Sequence, residues 1–429
     1  MHPRKSPPGQ FEQHQRPTGR LRRQRPELGA EFLPESHLAE CTTGDLASIA
    51  ENSLHAGADL IGGHKRRRVA LGGDAAVDRR GLDCGTDATD AILMGTRHQL
   101  ERLTSKLKQD PGFQALGHSL EETLQNVSRA CYRLRCRKRT FALGEKTLVM
   151  GVLNVTPDSF SDGSLYSEKE KAVARGLKMV EEGADFIDIG GESTRPGSKP
   201  LPLEEELRRV LPVIESLVRE TDVPISIDTY KSAVAGEAIQ AGAQLINDIS
   251  GLHFDPDLAE VAAKEEVPVI LMHLRGTPET MQSNIHYDSL FSEILRSLKE
   301  SIERAERAGV DSDRIIVDPG IGFGKTMEHN LLILKQLSEF RILGKPLLLG
   351  TSRKSFIGKV LGAEGVSDRL EGTLASVAIG VFNGAHIVRC HDVREAKRAV
   401  ALADAIRLAG LSAGLDEGST VQQGVGHWK

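Results

Sequence analysis

Residues 148–164 read LVMGVLNVTPDSFSDGS, and their character changes halfway. The run 148–153 is apolar throughout, as a parallel strand covered on both faces requires. From Asn154 onward come turn formers and oxygen-bearing side chains with one aromatic among them, Phe160. A plain connector between a strand and a helix needs only a few residues, so this segment is longer and more polar than connection demands. It is either a solvated loop or a binding loop, and the remainder of the chain has to decide which.

The same unit recurs. Further apolar runs stand at 184–189, 223–227, 244–246, 267–272, 314–317, 346–349 and 386–388, making eight with the first. Helix-like segments such as LEEELRRVLPVIESLVRE and SLFSEILRSLKESIERAERAG fill the gaps, several closed by the glycine favoured just past a helix. Eight strand–helix units predict an α/β fold, the (β/α)8 TIM barrel, over residues 138–410. An open doubly wound sheet usually has fewer strands.

Residues 1–135 differ in kind. Their beginning is rich in Pro, Gln and Arg and poor in long apolar residues, which predicts a largely disordered N-terminal extension. Within it only the neighbourhood of 116–134 has helical spacing, through Leu120, Leu124, Val127 and Cys131. Residues 1–93 are expected to be dispensable, with Met94 a plausible start, and the tail 411–429 is expected to be disordered. The basic run HKRRR at 64–68 reads as a solvated stretch of the extension.

Bulk properties narrow the function. Lys plus Arg number 55 against 60 Asp plus Glu, so the net charge of −5 speaks against a general nucleic-acid binder. No segment approaches the roughly 20 apolar residues of a membrane span, and no apolar core follows the basic N-terminus as in a secretory signal. Five sparse cysteines, Cys41, Cys84, Cys131, Cys136 and Cys390, form no zinc-ligand spacing and suit a reduced, cytoplasmic protein.

In a (β/α)8 barrel the reactive face lies at the C-terminal ends of the strands. The residues just past the apolar runs are Asn154; Glu192, Ser193, Thr194 and Arg195; Asp228; Asn247 and Asp248; His273; Asp318; Ser352, Arg353 and Lys354; and Arg389 and His391. One such residue would be a helix cap. Polar groups at every strand end make a site. Asp228, Asn247 and Asp318 offer oxygens to a heterocycle bearing several N–H donors. Arg353, Lys354, Arg389 and His391 supply positive charge for an anion such as phosphate. Asn154 offers a neutral oxygen suited to Mg²⁺, which keeps most of its waters and binds substrate phosphates. The segment PGIGFGKT at 319–326 approaches a phosphate-cradling loop, but Pro319 replaces its first glycine. Its glycines are expected to bring backbone close to a flat ligand.

These motifs resemble the dihydropteroate synthase family of pterin-binding enzymes. MGVLNVTPDSFSDGS is similar to the first signature of that family and DIGGESTRPGS, 188–198, to the second. SIDT, INDI, LMH, DPGIGFGKT, GTSRKSFIG and VRCHDV are similar to its remaining blocks, in order, so the resemblance covers about residues 138–408. It implies a Mg²⁺-dependent transferase of folate biosynthesis. The reaction joins p-aminobenzoate to 6-hydroxymethyl-7,8-dihydropterin diphosphate, giving 7,8-dihydropteroate and pyrophosphate. By the same resemblance Asn154 is the metal-site residue. Asp228, Asn247, Asp318 and Lys354 bind the pterin, Met272 is a further substrate-binding residue, and Arg389 and His391 anchor the diphosphate. Phe160, Asp162, Thr194, Arg195 and Pro196 lie on two mobile loops over the benzoate, with Ser352 near its carboxylate. Asp162, Arg195 and Lys354 are expected to be catalytic. A homodimer through the last helices is also implied. Two rivals are a methyltetrahydrofolate-binding methyltransferase domain, which needs no anion site, and an inactive pterin-binding or regulatory paralogue, which would be expected to lose its loop residues first. Ser164 stands where the family usually has a second glycine.

Overall fold

The computed structural model describes residues 91–137, 139–156, 165–363, 365 and 367–409, together with the backbone of short strands between 41 and 89. All of these belong to the compact unit Glu35–Lys429. The central feature is a ring of eight parallel strands: β1 (Leu148–Asn154), β2 (Phe186–Gly190), β3 (Ile225–Asp228), β4 (Leu245–Asp248), β5 (Val269–Met272), β6 (Ile315–Asp318), β7 (Leu348–Leu349) and β8 (Ile387–Cys390). Each strand pairs with its sequence neighbours and β8 pairs back onto β1, while β6 and β7 meet through the single bridge Val317–Leu347. That bridge closes the barrel.

Nine helices follow the strands among the described residues: α1 (Leu165–Glu181), α2 (Leu203–Glu220), α3 (Ser232–Gln240), α4 (Leu258–Lys264), α5 (Leu290–Arg307), α6 (Met327–Lys335), α7 (Ser355–Leu361), α8 (Leu370–Phe382) and α9 (Val393–Leu408). Helix α6 stops at Lys335, and the chain continues as 3₁₀ turns over Leu337–Leu343. None of the described helices is long and apolar enough to cross a membrane.

Strand alternation sorts the side chains into two layers. Val149, Ile187, Ile189, Ile227, Ile246, Leu271 and Val317 point outward and pack under the helices. Leu148, Met150, Phe186, Leu245, Ile270, Ile316, Leu348 and Ile387 point inward and fill the lower barrel. An antiparallel hairpin, Tyr132–Cys136 with Arg139–Leu143, closes that end by adding Tyr132, Leu134, Cys136 and Leu143 to the same cluster. Upward from this plug the inward positions become polar, so the lower layer is the dry floor of the site.

Residues 97–136 carry more order than their sequence advertised. Two helices, Arg97–Gln109 and Gln114–Ser128, pack together around Leu103, Leu107 and Phe113. So small an apolar set among charged residues gives little periodic signal. The second helix docks on the barrel: Asn126 Nδ2 donates to the Ile342 carbonyl at 2.9 Å. It lies against Gly344, whose φ of +63° and contact with Asn126 leave no room for a Cβ. Upstream, an antiparallel sheet runs Leu54–Ile61, His64–Val69, Asp74–Asp78, Ala91–Met94, and the basic run 64–68 falls in its second strand. The rest of the expected extension and the expected tail 411–429 lie outside the described residues.

His386, at the foot of β8, is buried as a neutral ring. Its Nδ1 accepts from the Leu347 N–H at 3.0 Å, and it meets Tyr132 edge-on. Burial, helped by Arg341 and Arg407, pushes its pKa down to about 4. The unfolded chain, with a histidine pKa of about 6.5, therefore binds more protons between these values. The stability that neutral His386 contributes is fully present above about pH 6.5 and is lost as pH falls towards about 4. His386→Asn keeps an acceptor without the titration, so its melting temperature should fall less between about pH 7.5 and 5 than that of wild type. Equal falls would remove His386 from the acid response.

Candidate active site

The upper ends of the strands place eight inward side chains around one cup: Asn154 from β1, Asp188 from β2, Ser226 and Asp228 from β3, Asn247 from β4, Met272 from β5, Asp318 from β6 and Arg389 from β8. Asp188, Ser226, Asn247, Met272 and Asp318 are buried, and Asn154 and Arg389 are half-buried.

Arg389 organises this cup. Its Nε donates to Asp188 Oδ2 and its Nη2 to Asp228 Oδ2, each at 2.6 Å, while Asn247 Nδ2 donates to Asp188 Oδ2 at 2.9 Å. The two carboxylates push the guanidinium pKa up, and burial pushes Asp228 up to about 7 against the pull of Arg389. Arg389, expected among the diphosphate anchors, thus sits among the acceptors assigned to the pterin. Asp188 was not anticipated. It falls inside the apolar run 184–189 and reads as strand interior, yet a charge on a fully buried strand is itself a signal, because it needs a partner. Its Oδ1 and the Ser226 hydroxyl have no hydrogen-bond partner among the described residues, which leaves acceptor capacity at the bottom of the cup.

Asp318 is buried, and burial raises its pKa; its Oδ1 accepts from the Gly320 N–H at 2.7 Å. Two of the glycines of 319–326 crowd neighbouring backbone, and Gly322 faces the Lys354 side chain. A Cβ on Gly320, at φ +71°, would fall 1.9 Å from the His273 carbonyl, and one on Gly324 would meet Arg275. Lys325, the lysine of the phosphate-loop lookalike, is buried, with Nζ 2.8 Å from His273 Nδ1, so it locks this loop to the end of β5. Lys354 reaches over the Phe323 ring, with Nζ 3.9 Å from the centroid, and burial pulls its pKa down to about 7. Phe323 had not been singled out, since it sits inside the glycine-rich run.

Two of the expected cations at the anion side need correction. Arg353 stands at φ +59° and turns away to pair with Asp392 at 2.5 and 3.0 Å. His391 is drawn down to about 3 by burial and by Arg353 and Arg389, so in this state it is a neutral hydrogen-bonding group. Its Nδ1 lies 3.0 Å from Ser352 Oγ, and its backbone N–H donates to the same oxygen at 3.1 Å. Ser352, expected beside the benzoate carboxylate, is therefore joined to His391. Asp248, which also ends a strand, accepts from the Ser250 and Leu252 N–H groups and shapes its own loop.

The loop 191–202 holds Thr194, half-buried, and Arg195 and Pro196, both exposed. Phe160 and Asp162 lie outside the described residues. Among the described residues no cluster of three or more His, Cys, Asp or Glu side chains could hold a metal ion. The cup can therefore accept several N–H donors from a flat ring, with arginine, lysine and histidine groups on one side and a polar loop above.

A family model described as "Pterin binding enzyme" matches residues 150–391. The dihydropteroate synthase of Bacillus subtilis is 51% identical over 262 residues, covering 61% of this chain and 89% of that protein. Among solved structures, Xanthomonas albilineans dihydropteroate synthase with 4-aminobenzoic acid is 45% identical with a TM-score of 0.61, covering 65% of this chain and 98% of that one. The same enzyme in complex with 7,8-dihydropteroate is 43% identical with a TM-score of 0.58, covering 64% and 98%.

Proposed function

The chain belongs to the pterin-binding enzyme family, and from that premise we infer that it catalyses dihydropteroate synthesis. It joins p-aminobenzoate to 6-hydroxymethyl-7,8-dihydropterin diphosphate and releases pyrophosphate. The observation that carries this reading is the cup: Asp188, Asp228, Asn247 and Asp318 line a dry-floored barrel whose rim bears Arg389, His391 and Lys354.

The chemistry follows from these groups. Ring N–H donors of the pterin take the acceptors of Asp228, Asn247 and Asp318. As they do so they displace Arg389 from Asp228, which frees one face of its guanidinium for the diphosphate. An aniline nitrogen is nucleophilic when neutral, so the difficult event is departure of the diphosphate as the C–O bond breaks and the C–N bond forms. Arg389, Lys354 and the His391 ring stabilise the leaving oxygens. Thr194 and Arg195 hold the amine above the cup, and the amine proton is lost after bond formation.

Mg²⁺ fits the donor set: Asn154 supplies one neutral oxygen at the end of β1, level with Gly190, and no protein-only cage competes among the described residues. Such an ion, bound mostly by water and phosphate oxygens, would neutralise diphosphate charge. The direct test is pyrophosphate release from purified protein given both substrates, with and without Mg²⁺. Turnover that needs both substrates and stops on chelation is expected. Absence of product with intact pterin binding would point to a binding protein.

The same reading includes a homodimer. Val360 and Leu361 on α7, Ile379 and Phe382 on α8, and Leu402 and Ile406 on α9 are all exposed apolar residues on the last three helices, as an interface there requires. Phe382→Glu combined with Ile406→Glu should convert a dimer to a monomer in light scattering. A monomeric wild type would end this proposal.

A further inference from the structure

The loop 191–202 is fastened at its base by a buried charge cluster that the chemistry above does not use. Glu192 stands at the start of the loop and Leu201 near its end. The Leu201 N–H donates to Glu192 Oε2 at 3.0 Å, and the Leu201 carbonyl accepts from Lys231 Nζ at 2.7 Å. Lys231, immediately before α3, also donates to Glu192 Oε2 at 2.6 Å and to Glu206 Oε2 at 2.5 Å. The Tyr230 hydroxyl donates to Glu192 Oε1 at 3.0 Å. The glutamate side chains are 7% and 1% exposed and that of Lys231 is 17% exposed, and Glu206 Oε1 has no partner among the described residues.

Buried ion clusters add little net stability over apolar side chains of similar volume, so holding α2 against the end of β3 does not call for charge. What these charges accomplish is geometric. They grip both peptide groups of one residue, Leu201, and join them to Glu192 across the neck of the loop. The crown above is held more lightly, through Ser198 N–H to the Arg195 carbonyl at 3.0 Å, Ser198 Oγ to Ser193 Oγ at 3.1 Å, and Gly197 N–H to the Pro278 carbonyl at 2.9 Å. Thr194 and Arg195 ride on that crown. Their placement therefore depends on the spacing of the loop's two ends.

We propose that Lys231 is a positioning residue for the aromatic amine: by joining Glu192, Glu206 and Leu201 it sets the neck of the loop and so the pose of Thr194 and Arg195. It acts on the benzoate half of the reaction alone, because the pterin acceptors rest on the barrel strands. This rests on the benzoate role given to the loop above.

The test compares Lys231→Met, Lys231→Arg and Tyr230→Phe with wild type in the full chain. Three quantities are read: kinetics in p-aminobenzoate, calorimetric binding of pterin diphosphate, and hydrogen exchange across 193–200. Lys231→Met should raise KM for p-aminobenzoate and lower kcat, together by about tenfold or more, as hinge changes do. Pterin diphosphate affinity should stay within about twofold of wild type and exchange in the loop should quicken. Lys231→Arg should recover part of the loss. Tyr230→Phe, which removes one hydroxyl and no charge, should shift KM in the same direction by less, so the proposal stays open to refutation if Lys231→Met does not fold. Quickened exchange with unchanged KM, or pterin affinity falling in step with KM, would overturn it. A wild type that binds pterin diphosphate but forms no product would instead overturn the functional premise, while exchange would still report the clamp.

Discussion

Arg389→Met is expected to lower kcat/KM for pterin diphosphate by on the order of 10²–10³, the cost of losing a preorganised donor to a developing oxyanion. The same change should destabilise the protein by about 3–5 kcal/mol, since it removes the shared cation of two buried carboxylates. Asp188 and Asp228 both bond this one guanidinium at 2.6 Å. Asp228, already pushed up to about 7 by burial, would lose its strongest opposing charge and hold its proton at neutral pH. Denaturant titration gives the stability and steady-state kinetics gives the activity. Adding Asp228→Asn to Arg389→Met should restore stability in part, because a buried asparagine needs no proton uptake at neutral pH, and should leave turnover lost. A double-mutant cycle separates the two effects. A stability change below about 1 kcal/mol would mean that the two carboxylates are not held by Arg389 in solution.

Asp318→Asn is expected to weaken pterin diphosphate binding by about ten- to a hundredfold, the loss of a charged hydrogen bond of roughly 1.5–3 kcal/mol. The asparagine oxygen can still accept from the Gly320 N–H, so the loop 319–326 keeps its shape and the melting temperature should stay close to that of wild type. Its NH₂ would face the ring donors of the pterin with donors of its own. Asp318→Ala should weaken binding as much and also lower the melting temperature, because it releases the Gly320 N–H inside a buried turn. Calorimetry with pterin diphosphate and thermal melts of both variants check this. Undiminished affinity in Asp318→Asn would take Asp318 out of the pterin site.

Fold and site were legible to different depths, for reasons visible in particular residues. Apolar runs separated by amphipathic segments report a local property, burial on both faces of a strand, and local properties are written in order along the chain. Eight of them therefore predicted the barrel, and the residue after each run located the rim, because strand ends are also local. Asn154, Asp228, Asn247, Asp318, Lys354, Arg389 and His391 were all marked out as strand-end residues this way. Partnership is not local. That Arg389 on the last strand bridges Asp188 and Asp228 on the second and third depends on closure of the barrel, which brings residues 201 and 161 positions apart to 2.6 Å. The same closure neutralises His391 through burial and turns Arg353 aside to Asp392. Asp188 and Lys231 escaped notice because one looks like strand interior and the other like a helix start; only packing across β2, α2 and β3 gives them partners. The sequence by itself determined which side chains stand at the rim and which class of ligand they suit. Tertiary structure alone decided which of them bind one another, since charge and hydrogen-bond capacity acquire their values from neighbours that folding supplies.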